Sequence, residues 1–284
     1  VVLGHLDVDH PRNLSIVRRK KPDVIRFTVG QPDFDTPEAV VQSAVDALHR
    51  GETAYTRSQG SVSLCEAVST HLETLNIPSH PDDVVVTPGC KQALLYALMT
   101  TITPGNEVLL LLAPAWPSYD GMIRIFGGVP VHVPVSRPSY HPDFEALEAS
   151  VTERTKAIML NSPNNPTGAV YTPEEIEKIA AFAERHDLWI VDDMIYSTLV
   201  WTNHPYTSPI NYAGGENRTI TIGGWSKGWA MTGWRMGWIT GPSGFMEAVK
   251  TCQTSAATHI PTFLMPAGEV ALQLVHEKNC LQLL

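Results

Sequence analysis

Short aliphatic runs recur along the chain from residue 84 onward, and stretches with helical periodicity separate them. Continuous Val, Ile and Leu runs predict strands buried on both faces, and hence a mostly parallel sheet, with some mixed pairing, sandwiched by helices. The predicted strands are 84–87, 108–112, 129–133, 157–160, 188–191, 219–222 and 236–240. The pattern therefore indicates an α/β fold.

The sequence also marks several helices. Residues 36–38 (Thr-Pro-Glu) are expected to open one, Gly51 ends it, and a second amphipathic helix is expected over 62–75. The apolar face of the first helix is predicted to contain Val40, Val41, Ala44, Val45 and Leu48. Residues 172–175 (Thr-Pro-Glu-Glu) combine an N-cap threonine, a proline and a glutamate in the spacing of a capping box. Ligands of such sheets gather at the carboxyl ends of the strands.

Composition narrows the possible functions. With 284 residues, 43% of them hydrophobic and 17% charged, the chain can bury a sizeable core. The 20 basic and 29 acidic residues give a net charge of −9, which disfavours nucleic acid as a partner. The longest aliphatic stretch, 108–113, is too short to cross a membrane, and the first residues do not follow the order of a secretory signal. We therefore expect a cytoplasmic protein.

The cysteines do not suggest a metal site. The four of them, Cys65, Cys90, Cys252 and Cys280, are single and form no C-x-x-C pair. This spacing favours neither a disulfide framework nor a zinc site. No bound metal is expected.

The segment 223–238 carries the most informative chemistry. Lys227 and Arg235 stand eight residues apart among small, apolar and aromatic residues, directly after a predicted strand. Two cations in such surroundings need an anion or a covalent partner, because an unpaired buried charge is costly. A desolvated lysine loses its proton more readily and can attack an aldehyde. The alternative is a lysine that extends to solvent and an arginine in a structural ion pair.

Polar residues follow two further predicted strands. Asn165 lies in the segment 161–168 between a strand and a helix, and its amide can both donate and accept hydrogen bonds. Asp193 ends the next strand, and Tyr196 follows it by three residues. A carboxylate at a strand end suits a protonated ring nitrogen, and a phenol suits a ring oxygen. Taken alone, Asn165 is equally explained as a turn former and Asp193 as a helix cap.

Two other turns follow strands. Residues 87–94 run from a strand into a helix, and such a turn offers free backbone N–H groups to a phosphate, although the pattern is weak on its own. In the segment 114–119, Trp116 could stack on a planar ring or simply fill the core.

Together these motifs resemble the pyridoxal-phosphate-dependent aminotransferases of fold type I, classes I and II, over about residues 25–265. The matching elements are 30–33 (Gly-Gln-Pro-Asp), Tyr55, 87–92, Trp116, 165–168 (Asn-Pro-Thr-Gly), 193–196, and the Ser226 to Gly237 element with Lys227 and Arg235. The last of these is highly specific.

The resemblance implies a role for each matching residue. Lys227 would bond covalently to the aldehyde of pyridoxal 5′-phosphate and later move the substrate proton. Asp193 would keep the pyridine nitrogen protonated. Tyr196 and Asn165 would bind the ring oxygen, and Trp116 would stack on the ring. Lys227, Asp193 and Tyr196 are thus the predicted catalytic residues.

The resemblance also implies how the phosphate and the substrate are held. The phosphate would be bound by Arg235, Ser226 and the backbone of Gly89, Cys90 and Lys91. Tyr55 would reach the phosphate of a neighbouring subunit, which requires a homodimer with shared active sites. Gly30 and Asn165 would contact the substrate.

The implied activity is transfer of an amino group from an L-amino acid to a 2-oxo acid. The alternatives are a lyase, racemase or oxidase on the same fold, or a truncated, non-catalytic binding module. Two positions depart from the family pattern. Met194 stands where the family often has Glu, and the last arginine is Arg235, although the family uses a later arginine for the substrate carboxylate.

The resemblance also implies a domain division. Residues 1–36 would form an N-terminal segment and part of a small domain, and 37–270 the large cofactor-binding domain. Residues 271–284 would begin the connection to a C-terminal small domain that is absent, which would leave the small domain incomplete.

Overall fold

The computed structural model describes residues 30–111 and 114–277, and all seven predicted strands are present in this part of the chain. They are β1 Val84–Thr87, β2 Glu107–Leu110, β3 Val129–His132, β4 Thr155–Leu160, β5 Trp189–Asp193, β6 Thr219–Gly224 and β7 Gly237–Thr240. Leu112, placed in the second predicted strand, lies outside the described residues.

The strands form one mixed sheet in the order β1-β7-β6-β5-β4-β2-β3. The pairs from β6 to β3 are parallel, whereas β7 runs antiparallel to both of its neighbours, β1 and β6. Because β7 reverses direction between them, β1 runs the same way as the parallel strands. The predicted α/β fold with a mostly parallel, mixed sheet is confirmed.

Helices connect and cover the strands. They are α1 Glu38–His49, α2 Val62–Thr74, α3 Cys90–Thr101, α4 Ser118–Ile125, α5 Phe144–Ala149, α6 Pro173–Arg185, α7 Trp225–Gly228, α8 Ser243–Ala256 and α9 Met265–Glu277. Two apolar clusters lie on opposite faces of the sheet where β1 meets β7, because neighbouring strand residues point in opposite directions. Val85 and Ile239 belong to one cluster, and Val86 and Trp238 to the other.

The start of α1 differs from the prediction in detail. Pro37 occupies the N-cap position, and no side chain caps the helix. Thr36 instead donates from its hydroxyl to the Ala230 carbonyl at 2.8 Å and accepts from the Trp234 indole at 3.1 Å. Leu48, predicted to lie on the buried face, is 45% exposed. The buried residues of α1 are Val40, Ala44 and Ala47.

The capping box at the start of α6 is confirmed. The Thr172 hydroxyl accepts from the Glu175 backbone N–H, and the Glu175 carboxylate accepts from the Thr172 N–H at 2.8 Å. The helix that follows β4 therefore begins at a fixed residue, and this anchors the far end of the loop that contains Asn165.

The chain divides into two compact units, with the boundary between Asp35 and Thr36. The predicted domain division stays a prediction: residues 1–29 and 278–284 lie outside the described part, and the expected boundary at 270 falls within α9. Over the residues that the structure describes, none of the helices combines the length and apolar character needed to cross a membrane.

Candidate active site

One edge of the sheet gathers most of the predicted site residues. The carboxyl ends of β1, β4, β5 and β6 all lie at this edge, because these four strands run in one direction. Asp193 is the last residue of β5, and the segments that leave β1, β4 and β6 contain Gly89, Asn165 and Lys227. Strand β7 begins at the same edge two residues after Arg235, and its first residue, Gly237, pairs with both Thr87 and Gly224. The topology alone therefore brings together groups that are far apart in sequence.

Asp193 is a buried carboxylate, with 3% of the residue exposed. Its Oδ2 accepts from the Tyr119 hydroxyl at 2.7 Å, and its Oδ1 accepts from the Ile195 N–H at 3.3 Å. Burial raises the pKa of Asp193 to about 6, although both hydrogen bonds oppose the shift. The bond to Ile195 is the local turn contact expected of a capping residue. The bond to Tyr119, 74 residues away in sequence, is additional and fixes the carboxylate from a different element.

Asn165 and Tyr196 meet above the ends of β4 and β5. The Asn165 amide donates to the Tyr196 hydroxyl at 3.4 Å. Asn161 fixes this arrangement, because its amide donates to the Asp193 carbonyl at 2.9 Å while its oxygen accepts from the Asn165 N–H at 2.9 Å. A single buried side chain thus joins the Asn165 loop to the end of β5. Asn165 is more than a turn former, since its own side chain contacts Tyr196.

Lys227 lies in the short helix α7, immediately after β6. Its Nζ is 6.0 Å from the centre of the Tyr196 ring. The pKa of Lys227 is lowered, chiefly by burial and also by the positive charge of Arg235, while Cys90 and Asp193 act in the opposite direction. Lys227 does not simply extend to solvent, and its amine is easier to deprotonate than that of an ordinary lysine.

Gly89 and Arg235 form a cradle at the start of α3. A Cβ atom on Gly89 would overlap Arg235 Nη2, so the guanidinium occupies the space that a side chain would fill. Arg235 adopts a left-handed backbone with φ +56°, which is uncommon for a non-glycine residue. Its Nη1 donates to the Thr232 carbonyl at 3.0 Å. Gly237 is equally crowded, since a Cβ there would lie 2.5 Å from the Cys90 nitrogen.

Trp116 contacts Tyr119, the tyrosine that donates to Asp193, and also lies close to the Lys91 ammonium. Its ring is edge-to-face with the Tyr119 ring at 5.3 Å between centres. The Lys91 ammonium lies 5.0 Å from the centre of the Trp116 ring, within cation–π range. Trp116 is only partly buried and packs against one of the two apolar clusters, so its stacking on a ligand ring stays a prediction.

Three predicted site residues have other surroundings. Tyr55 is 89% exposed, and its ring meets the His259 ring edge-to-face at 5.7 Å. Ser226 is buried in α7 next to Lys227. Gly30 belongs to the unit that ends at Asp35. Their predicted roles, like those of the other site residues toward a cofactor or substrate, stay predictions.

The residues at this edge fit pyridoxal phosphate. Its phosphate requires a cation and free N–H groups, which the Arg235 guanidinium beside Gly89 and the first turn of α3 provide. Its ring nitrogen requires a buried carboxylate, its ring oxygen an amide and a phenol, and its aldehyde an amine. Asp193, the Asn165–Tyr196 pair and Lys227 supply these groups. Among the described residues, no group of three or more His, Cys, Asp or Glu could hold a metal ion.

Sequence reasoning did not identify Tyr119 and Asn161 as site residues. The signal for Asn161 was its position at the end of a strand, four residues before Asn165. Tyr119 lies on the second residue of α4, and its contact with Asp193 depends on how that helix packs, which periodicity does not encode.

Comparison with known proteins agrees with this geometry. The aminotransferase class I and II family matches residues 22–280. A probable aspartate/prephenate aminotransferase of Aquifex aeolicus is 38% identical over 266 residues, which are 93% of this chain and 67% of that protein. A second protein of that description, from Thermus aquaticus, is 41% identical over 90% of this chain and 66% of its own length.

A solved structure leads to the same conclusion. An aspartate aminotransferase from Thermus thermophilus with maleate superimposes with a TM-score of 0.88 at 35% identity, covering 96% of this chain and 70% of that one. The chain spans about two thirds of the length of the two curated relatives. The family match extends over most of the sequence and confirms the resemblance seen in its motifs. The chain therefore belongs to the aminotransferases of classes I and II, a family that depends on pyridoxal phosphate.

Proposed function

We propose that this chain transfers an amino group from an L-amino acid to a 2-oxo acid, with pyridoxal phosphate as cofactor. The observation that carries the proposal is the placement of a lysine of lowered pKa and a buried aspartate at one edge of the sheet. A family member that lacked these two groups would have no covalent anchor and no partner for the ring nitrogen.

When bound, the cofactor supplies an electron sink for the substrate α-carbon. The chain's own residues do the remaining work. Arg235 and the N–H groups around Cys90 would hold the phosphate, and Asp193 would keep a proton on the ring nitrogen. Lys227 Nζ, once neutral, accepts the proton from the α-carbon and returns it. Its lowered pKa makes the neutral amine easier to reach than in an ordinary lysine, because burial and Arg235 disfavour the ammonium.

Tyr196 and Asn165 orient the ring oxygen as a pair. Their mutual hydrogen bond of 3.4 Å leaves the second donor of the amide free to bind a ligand oxygen. Trp116, with Lys91 above it, provides a flat partly exposed surface on which a ring can stack.

The substrate class is proposed from the relatives' names. Two curated relatives are described as probable aspartate/prephenate aminotransferases, and one from Thermotoga maritima as an aspartate aminotransferase. Aspartate is therefore the first donor to test, and prephenate the first alternative acceptor. A role in amino acid biosynthesis in the cytoplasm would be consistent with these substrates.

We further propose a homodimer with shared active sites. The supporting observation is that Tyr55 is a large aromatic residue and yet is 89% exposed, while its ring packs edge-to-face against the His259 ring. An exposed tyrosine with a fixed ring suits a contact with a second copy.

A lysine substitution tests the covalent role. Addition of pyridoxal phosphate should produce an absorption band of the lysine–cofactor bond, and Lys227→Ala should abolish it. Lys250→Ala is the control, because Lys250 contacts the surface residue Glu247 at 2.7 Å and should leave the band unchanged. A band that survives in Lys227→Ala would refute the covalent role.

The half-reaction separates transamination from other chemistry. Incubation with aspartate alone should convert the cofactor to its pyridoxamine form in an amount equal to the enzyme. Recovery of the intact aldehyde form after turnover would instead support a lyase or racemase.

A further inference from the structure

A second buried carboxylate lies next to the proposed site and has no part in the proposed chemistry. Asp192 precedes Asp193 in β5 and is 1% exposed. Because neighbouring strand residues point to opposite faces, Asp192 and Asp193 are directed to opposite sides of the sheet. A buried carboxylate is costly unless it is hydrogen-bonded, so its contacts indicate what it stabilises.

Two hydroxyl groups meet Asp192 from one segment. Asp192 Oδ2 accepts from the Tyr206 hydroxyl at 2.5 Å and from the Ser208 hydroxyl at 2.7 Å. Tyr206 is 7% exposed and Ser208 is fully buried. Burial raises the pKa of Asp192 to about 6, and the two hydroxyl donors oppose this shift. At neutral pH the carboxylate is thus ionised and both donors are engaged with one oxygen.

These bonds close the loop that carries Tyr196. Residues 194–205 leave the end of β5, and the segment 206–208 returns to the same strand at Asp192. Inside the loop, the Ser197 N–H donates to the Met194 carbonyl and the Leu199 N–H to the Tyr196 carbonyl. The residues from 195 to 200 are only partly buried, so the loop has little core of its own.

We propose that Asp192 is a positioning residue that fastens the returning end of the 194–205 loop and thereby holds Tyr196 against Asn165. The inference rests on the proposed function, because Tyr196 is one of its catalytic residues. It adds that the geometry of the site depends on a carboxylate on the far face of the sheet. The negative charge matters because hydrogen bonds to a charged acceptor are about twice as strong as neutral ones.

Hydrogen exchange tests the fastening directly and needs neither cofactor nor activity. Tyr206→Phe removes one donor and Ser208→Ala the other, and each should speed exchange of the Ser197 and Leu199 amides about tenfold or more. Tyr212→Phe removes a hydroxyl nearby in sequence that has no bond to Asp192, and it should leave these amides unchanged. The amides of β4 report global stability and should also keep their rates.

Two results would overturn the proposal. One is unchanged exchange at Ser197 and Leu199 in both variants, and the other is an equal rise in Tyr212→Phe or throughout β4. An equal rise in these places would mean that Asp192 contributes only to overall stability.

A double-mutant cycle tests whether the effect reaches Tyr196. The absorption band of the cofactor-loaded protein should titrate at a different pH in Tyr206→Phe than in the wild type. This difference should disappear in a Tyr196→Phe background, because Asp192 acts through that phenol. Additive shifts would overturn the proposal. If the wild type shows no band at all, the proposed function fails while the exchange result still stands, so the two failures are distinguishable.

Discussion

Replacing Asp193 by Asn should stabilise the cofactor-free protein at pH 8 while it destroys the proposed activity. Burial raises the pKa of Asp193 from 3.8 to about 6. Two pKa units correspond to about 3 kcal/mol, by which the folded state disfavours the ionised carboxylate relative to the unfolded chain. An amide of the same shape avoids this cost.

The pH dependence follows from proton binding. Between about pH 4 and pH 6 the folded protein holds a proton on Asp193 that the unfolded chain has lost. Stability therefore falls as the pH rises through this window, and the full cost is present at pH 8. Asn abolishes the dependence, but it offers one oxygen to the two donors Tyr119 and Ile195. One donor is left unsatisfied at a cost of about 1 kcal/mol.

The net expectation is a crossover. Asp193→Asn should be more stable than the wild type by about 2 kcal/mol at pH 8 and less stable by about 0.5 kcal/mol near pH 4, where the wild type has lost only a small part of its stability. Urea unfolding of the cofactor-free protein at both pH values measures this. Asp187→Asn is the control, because its side chain is 99% exposed and its ion pair with Arg218 is a surface contact. A stability difference that is the same at both pH values would refute the reasoning.

Two further substitutions separate the site from the scaffold. Gly89→Ala should weaken cofactor binding at least tenfold, because its Cβ would overlap Arg235 Nη2. Gly51→Ala is the control: Gly51 has a similar φ of +78° but no atom within 4 Å of the added Cβ, so the variant should lose folding stability and keep its cofactor affinity. Equilibrium binding measures the affinity and thermal unfolding the stability. Equal cofactor affinity in the two variants would contradict the cradle. Thr172→Ala should lower the unfolding free energy by about 1 kcal/mol, because it removes the capping box with Glu175, and it should leave the activity unchanged. A loss of activity larger than the loss of folded protein would contradict this and give the cap a role in the site.

The strands were predictable because burial on both faces leaves a plain sequence signal. All seven predicted strands exist, and the capping box of α6 began a helix at the expected residue. The directions of the strands were harder to predict from the sequence than their positions. Strand β7 is antiparallel to both neighbours although it is as fully buried as β2, which pairs in parallel, since pairing direction depends on the connections and not on burial.

Local signals failed where a distant contact competed with them. Thr36 has the residue type and spacing of an N-cap, yet its hydroxyl bonds to Ala230 and Trp234, which are 194 and 198 positions away. The Thr36 hydroxyl could bond to a backbone N–H of its own helix or to a neighbouring loop, and the tertiary fold determines which of these partners lies within reach. The sequence shows the hydrogen-bonding capacity of Thr36, but not which partner uses it.

The same reasoning explains which site residues the sequence revealed. Lys227 and Arg235 stand in a segment whose small and aromatic neighbours make two cations conspicuous, so the residue pattern alone was enough to select them as candidate site residues. Tyr119 and Asp192 act through hydrogen bonds to residues 74 and 14 positions away. A tyrosine at the start of a helix and an aspartate at a strand end are each ordinary, and only the fold shows what they hold. The supporting residues of a site are thus harder to predict than the reacting ones, because their function lies in their partners and not in their own chemistry.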